Sequence, residues 1–199
     1  MDIMKIINQA ISVLTNPKQA LQKAKTEKVE TMDIIFYLAI VGIPTLLGFI
    51  IGYGFIGYGG HFLGASVGVA ILYYILAIIG IVAFGYILNA FAPTFKSKQN
   101  LMQALKLVSY AATPWLIAGI FYLHPSIWWL ATLAGLYGIY ILYIGIPILM
   151  ETPKDQQIPF LIVAIVIYII IMGVVWQIAW NVYWRIAWGS VFPYNYYRF

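Results

Sequence analysis

Three long stretches of this chain carry no charge, and that pattern constrains the fold more than any motif. No Asp, Glu, Lys or Arg occurs from Ile34 to Phe95, from Leu107 to Met150, or from Gln156 to Trp184, runs of 62, 44 and 29 residues. A helix needs about 20 apolar residues to cross roughly 30 Å of hydrocarbon. The runs therefore accommodate two, two and one spans. Backbone in lipid must satisfy its own hydrogen bonds, which leaves helices or closed barrels. The roughly 10-residue alternation of a barrel strand is missing. The expected fold is an all-α integral membrane protein, a five-helix transmembrane bundle with an N-terminal amphipathic interfacial helix.

Charged residues make up 9% of the chain, against about 25% in soluble domains. There is no cysteine, which removes disulfides, iron–sulfur clusters and thiol chemistry. Two histidines without a His-Glu-x-x-His pattern offer no transition-metal site. No phosphate-binding glycine loop with Lys and Ser/Thr is present, and no cofactor is expected. The net charge of +5 is not gathered into a basic face, so nucleic acid is not an expected partner. The first 30 residues carry several charges and no short apolar core, so span one is expected to serve as its own insertion signal.

Residues 1–32 read as a cytoplasmic amphipathic and juxtamembrane segment. At about 100° per residue, Ile3, Met4, Ile6, Ile7, Ala10, Ile11, Val13 and Leu14 share one half of a helix. Asp2, Lys5, Asn8, Gln9, Ser12 and Thr15 take the other. Such a helix suits either the headgroup plane or the protein's own cytoplasmic face. Asn16-Pro17 reads as an N-cap followed by proline in the first helical position. Residues 33–180 then hold the spans, near 33–56, 62–91, 104–123, 127–150 and 158–180. Pro44 and Pro114 are expected kinks. Residues 181–199 form an aromatic external tail.

Lys and Arg set the orientation. The N-terminal segment and the second and fourth loops, with Lys106 at the edge, hold nine of them, against Arg185 and Arg198 on the opposite side. The expectation is a prokaryotic cell-membrane protein with its N-terminus cytoplasmic and its C-terminus external. Gly60, Gly64 and Gly68 line one face of span two, and Gly135, Gly138 and Gly145 one face of span four. Small faces let helices approach closely, within one chain or in a homo-oligomer. Trp176, Trp180, Trp184 and Trp188 recur every four residues, as an aromatic belt or a docking surface for another membrane protein would.

Two motifs fail on context. Gly52-Tyr53-Gly54 and Gly57-Tyr58-Gly59 echo a potassium filter, but no Thr-Val precedes them and no pore helix fits. Gly64-Ala65-Ser66-Val67-Gly68 spells a nucleophile elbow, but inside an apolar helix rather than at a strand-to-helix turn. No acid sits mid-span, where proton and ion pathways place them. The informative stripe is on span three, where Lys106, Ser109, Tyr110 and Thr113 share a face with Gln103. There Lys106 either snorkels to the headgroups or pairs with Asp33 or Glu151.

Ser109-Tyr110-Ala111-Ala112-Thr113-Pro114, the run from Leu136 to Gly145, and Asn16-Pro17-Lys18-Gln19-Ala20-Leu21 resemble the Yip family of Ypt/Rab-interacting membrane proteins, in its prokaryotic five-span branch. The resemblance covers about residues 14–175. It implies five spans, a cytoplasmic N-terminus and no known catalysis. Eukaryotic relatives bind prenylated Rab GTPases in vesicle traffic; their Asp-Leu-Tyr-Gly-Pro motif is absent from this sequence. The expected function is a non-enzymatic scaffold or adaptor that organises membrane or partner proteins. A passive channel or transporter for ions, small solutes or lipid is the alternative.

Overall fold

The computed structural model describes residues 2–57, 63–124 and 126–191, and all regular structure among them is helical. Two short helices come first. Asp2 caps α1 (Ile3–Thr15) by accepting from the Met4 amide at 3.3 Å. Asn16 caps α2 (Pro17–Thr26), accepting from the Gln19 amide at 3.3 Å, with Pro17 in the first turn, where a missing N–H costs nothing.

Five helical stretches are long and apolar enough to cross a membrane: Thr31–Ile56, Ser66–Phe95, Leu101–Leu123, Trp129–Leu149 and Lys154–Ile186. The first is composite. α3 (Thr31–Val41) stops at Gly42, and α4 (Ile43–Ile51) restarts with Pro44 in its first turn, so the expected kink is a helix break. A π-helical segment, Gly52–Gly57, extends it. α5 (Leu63–Phe91) ends in a 3-10 turn over Ala92–Phe95. α6 (Leu101–Ala118) runs unbroken through Pro114 and tightens into a 3-10 turn, Gly119–Leu123. α7 (Trp129–Leu149) and α8 (Lys154–Val191) complete the chain.

α6 is the axle of the bundle. Every residue from Ala104 to Pro114 is buried, with α3, α4, α5 and α7 around it. A chain segment so enclosed presents no face to the bulk bilayer. α5 and α8, by contrast, pack along each other and leave Ile71, Ile75, Ile162, Ile169 and Ile170 exposed. In the bilayer those side chains meet hydrocarbon, so exposure costs nothing there.

The bundle has a basic end and an aromatic end. At the basic end the Lys98 amide donates to the Met150 carbonyl at 2.8 Å, and the Ser97 and Thr152 hydroxyls share a 2.7 Å hydrogen bond. At the aromatic end Phe49 stacks on Tyr122 with ring centroids 4.5 Å apart, and Trp176, Trp180 and Trp184 contact one another in series along α8. The side chain of Trp188 lies outside the described residues, as do residues 192–199 of the aromatic tail.

α1 and α2 form a hairpin that descends from the basic end alongside the bundle. Lys5 pairs with Glu27 at 2.6 Å across its open end. One turn deeper, Gln9 donates to the Tyr110 hydroxyl. Nearest the turn, the Leu14 carbonyl accepts from the Tyr137 hydroxyl at 2.9 Å. Tyr137 is twelve residues from Leu149, the basic end of α7, or about 18 Å at 1.5 Å per residue. Even allowing for the tyrosine's reach, the Asn16 turn sits well within the height of the bundle. The hairpin shares the main core through Ile6, Ala10, Val13, Ala20, Leu21 and Ala24.

Candidate functional site

The polar face of α6 is where the hairpin is held. Stepping by about 100° per residue, Gln103, Lys106, Ser109, Tyr110 and Thr113 fall on one side of the helix. Along its length the stripe grips the end of α2, then α1 and α3. Gln103 donates to the Lys25 carbonyl at 2.9 Å. Lys106, only 4% exposed, donates to the Ala24 and Glu27 carbonyls at 2.7 and 2.6 Å. Tyr110 accepts from Gln9 and packs its ring against Tyr37, with centroids 5.6 Å apart. Thr113 shares a 2.7 Å hydrogen bond with the Tyr37 hydroxyl and donates to the Ser109 carbonyl at 3.0 Å. The Ser109 hydroxyl is buried with no hydrogen-bond partner among the described residues.

The ammonium of Lys106 therefore corrects the pairing expected with Asp33 or Glu151. Ala24 and Glu27 end α2, and the last carbonyls of a helix lack intrahelical donors and carry the negative end of its dipole. A cation there satisfies both deficits, and the Glu27 carboxylate adds attraction. Asp33 lines the same small cleft as Lys106, Tyr37 and Tyr110, but its carboxylate accepts from the Glu30 amide at 3.1 Å. Glu151 lies in the loop between α7 and α8, pairing with Lys25 at 3.0 Å and Lys98 at 3.5 Å. The hydrogen bond from Lys25 holds the Glu151 carboxyl below the usual carboxylate range, helped by both lysine charges.

The expected packing glycines divide. A Cβ on Gly138 would run into the Ala111 carbonyl, and one on Gly145 into Leu107 and Leu21, so α7 meets α6 and α2 closely at these two. Gly64, Gly68 and Gly135 have open space where a Cβ would be, so they make no close approach to any described residue. Gly60 lies outside the described residues. The tightest approach is one that the reading of small faces passed over. Gly48 and Gly52 of the first span press on the backbone of Gly119 and Tyr122, while Thr45 donates to the Leu116 carbonyl at 2.6 Å. The spacing of Gly48 and Gly52, four apart, is the same small-residue signal. Ser66 is buried inside continuous α5, so the elbow geometry its motif requires is not formed.

Two cavities flank α6. One, of about 400 Å³, lies between α1 and α2 and is lined by Lys5, Asn8, Gln9, Ser12, Lys23, Glu27 and Tyr110 among others. The other, of about 490 Å³, is bounded by α5, α6, α7 and α8 and is lined by apolar and aromatic side chains, with Val108, Ala111, Ala112 and Trp115 contributed by α6. The helical angles of these four residues centre on the face opposite the polar stripe. α6 thus stands between a polar space and an apolar one. No group of three or more His, Asp or Glu side chains able to hold a metal occurs among the described residues.

The Yip1 domain profile matches residues 11–177. The chain is also similar to the "Inner membrane protein YohC" of Escherichia coli strains K12 and O6:H1, 29% identical to each over 94 residues, which is 46% of this chain and 48% of each relative. The chain thus spans about half the length of the curated relatives it matches. No solved structure matches it.

Proposed function

The chain belongs to the Yip1 domain family of membrane proteins, and from that premise we propose that it is a non-enzymatic scaffold or adaptor which organises membrane or partner proteins. The observation that carries this reading is the division of labour on α1. Ile6, Ala10 and Val13 are buried against the bundle, whereas Ile3, Met4, Ile7 and Ile11 are 42–64% exposed on the same short helix. One edge fixes the helix and the other is offered outward. An apolar row on a helix held beside a membrane gains energy by shallow insertion, or by receiving an apolar partner. The opposed cavities favour this over a conduit. A conduit needs a continuous polar path, and the space on the far side of α6 from its polar stripe is lined by apolar and aromatic side chains.

Ile7→Glu with Ile11→Glu places charge where side chains are already exposed. The variant keeps the thermal midpoint of the wild type yet loses most of its effect on liposome shape or its recovery of partner proteins. Ile6→Glu, at a fully buried position, unfolds the hairpin instead. Liposomes containing wild-type protein carry no ion or solute flux above lipid alone. A saturable flux abolished by Tyr110→Ala would replace this reading with transport.

The proposed orientation puts the basic end in the cytoplasm and the aromatic end outside, by the excess of Lys and Arg. With no native cysteine to interfere, single cysteines at Gln99 and Ser190 report it directly. An impermeant maleimide labels Ser190→Cys in intact cells and Gln99→Cys only after lysis. Labelling of both from outside would overturn the N-in, five-span arrangement.

A further inference from the structure

We propose that the apolar cavity between α5, α6, α7 and α8 is a binding site for one acyl chain of a bilayer lipid, entered sideways between α7 and α8. Its volume of about 490 Å³ falls within the roughly 300–1,000 Å³ of small-molecule sites. It is also about three times the ~150 Å³ void that stays dry and accepts benzene. The lining runs from Thr132 to Leu142 on α7 and from Ile165 to Trp176 on α8, a height of about 15 Å at 1.5 Å per residue. That height runs along the helix axes, as an extended hydrocarbon chain of a bilayer lipid does.

The occupant follows from the surroundings. The cavity lies inside the stretch that all four helices bury in the membrane, so what reaches its entrance is lipid. No charged side chain lines it, which excludes ions and polar solutes on desolvation grounds. α8 packs along α5 and meets α7 more sparingly. Leu136 of α7 and Ile169 of α8 stand at the rim, 59% and 62% exposed. Thr132, Trp115, Tyr122 and Trp176 contribute hydroxyl or indole groups toward the aromatic end, and Tyr73 and Tyr168 add two more hydroxyls to the lining. An acyl chain hanging from that interface would place its ester or carboxyl oxygens beside these donors and its methylenes along Leu142, Ile165 and Phe84. Burying those methylenes beside protein rather than neighbouring lipid gains through packing contacts.

Gly135 lines the cavity, and a Cβ built on it meets nothing within 4 Å. Gly135→Phe therefore fills the space without forcing the backbone, and Gly135→Leu does so with less bulk. Gly173 of α8 is equally unobstructed but does not line the cavity, so Gly173→Phe is the matched control. Wild-type protein is reconstituted in nanodiscs of a single diacyl phospholipid with added palmitate, then released into native mass spectrometry. The expected result is one acyl-bearing molecule per protein in the wild type and in Gly173→Phe. Occupancy drops at least fivefold in Gly135→Phe and Gly135→Leu, while thermal midpoints stay at or above that of the wild type. The mass of the retained species tells phospholipid from free fatty acid. Retention unchanged by Gly135→Phe would mean only annular lipid and would overturn the site. So would a wild type that retains no lipid, or a protein dimer that Gly135→Phe dissolves, since a second copy would then be the occupant.

Discussion

Lys106→Ala lowers stability by about 3–5 kcal/mol, because it leaves the buried Ala24 carbonyl and the part-buried Glu27 carbonyl without the cation that satisfied them. Ala24 and Glu27 lose charge-assisted hydrogen bonds of 2.7 and 2.6 Å, and α2 loses the cation that caps its end. Lys106→Met restores the packing of the stem but not the donors, so it recovers only part of the loss. Thermal unfolding in nanodiscs ranks the three proteins. A local readout separates this from general loosening: trypsin cleaves at Lys23 and Lys25 faster in both variants, since the hairpin lifts from α6 when α2 is freed. Glu151→Gln breaks only the exposed contacts with Lys25 and Lys98 and leaves that cleavage rate as it was. Were Glu151→Gln to match Lys106→Ala, the carbonyl clamp would not be what holds the hairpin.

Gly48→Ala is a severely damaging single methyl. Its Cβ would overlap the Gly119 carbonyl oxygen, and a backbone atom cannot swing aside as a flexible side chain does. The clash pushes α4 off the end of α6, weakens the hydrogen bond from Thr45 to Leu116, and loosens Phe49 from Tyr122. We expect at least about 3 kcal/mol of destabilisation, at or beyond the top of the usual range for overpacking. Gly48→Val abolishes recovery of monodisperse protein. Gly64→Ala and Gly68→Ala, with open space at both positions, retain full stability or gain up to about 1 kcal/mol from helix propensity. Equal behaviour of the Gly48 and Gly64 variants in size-exclusion profiles and thermal midpoints would disprove the close approach.

These two expectations mark where sequence reasoning reaches and where it stops. Gly48-x-x-x-Gly52 and Gly64-x-x-x-Gly68 are the same pattern on paper. Spacing says that a helix has a small face; it does not say which face a neighbour comes to, because that depends on the azimuth of each helix about its own axis. Span five was legible for the opposite reason. Its run without charge from Gln156 to Trp184 is a property of the chain alone, and hydrocarbon imposes its length limit on any such run.

The amphipathic pattern of residues 2–14 likewise determined a helix, with Asn16 and Pro17 fixing where the next one starts, since caps and proline act within a turn. Lipid cost, backbone hydrogen bonding and capping are local, so a linear sequence specifies spans, breaks and caps. The tertiary structure decided everything that needs two distant segments to share a depth. Only there does Lys106 find the end of α2, 79 and 82 residues away, in place of the carboxylates that charge alone would suggest. The splitting of α1 into a buried and an exposed edge, and the apolar cavity behind α6, have the same origin: both are spaces between helices, and packing rather than composition sets what is left between them.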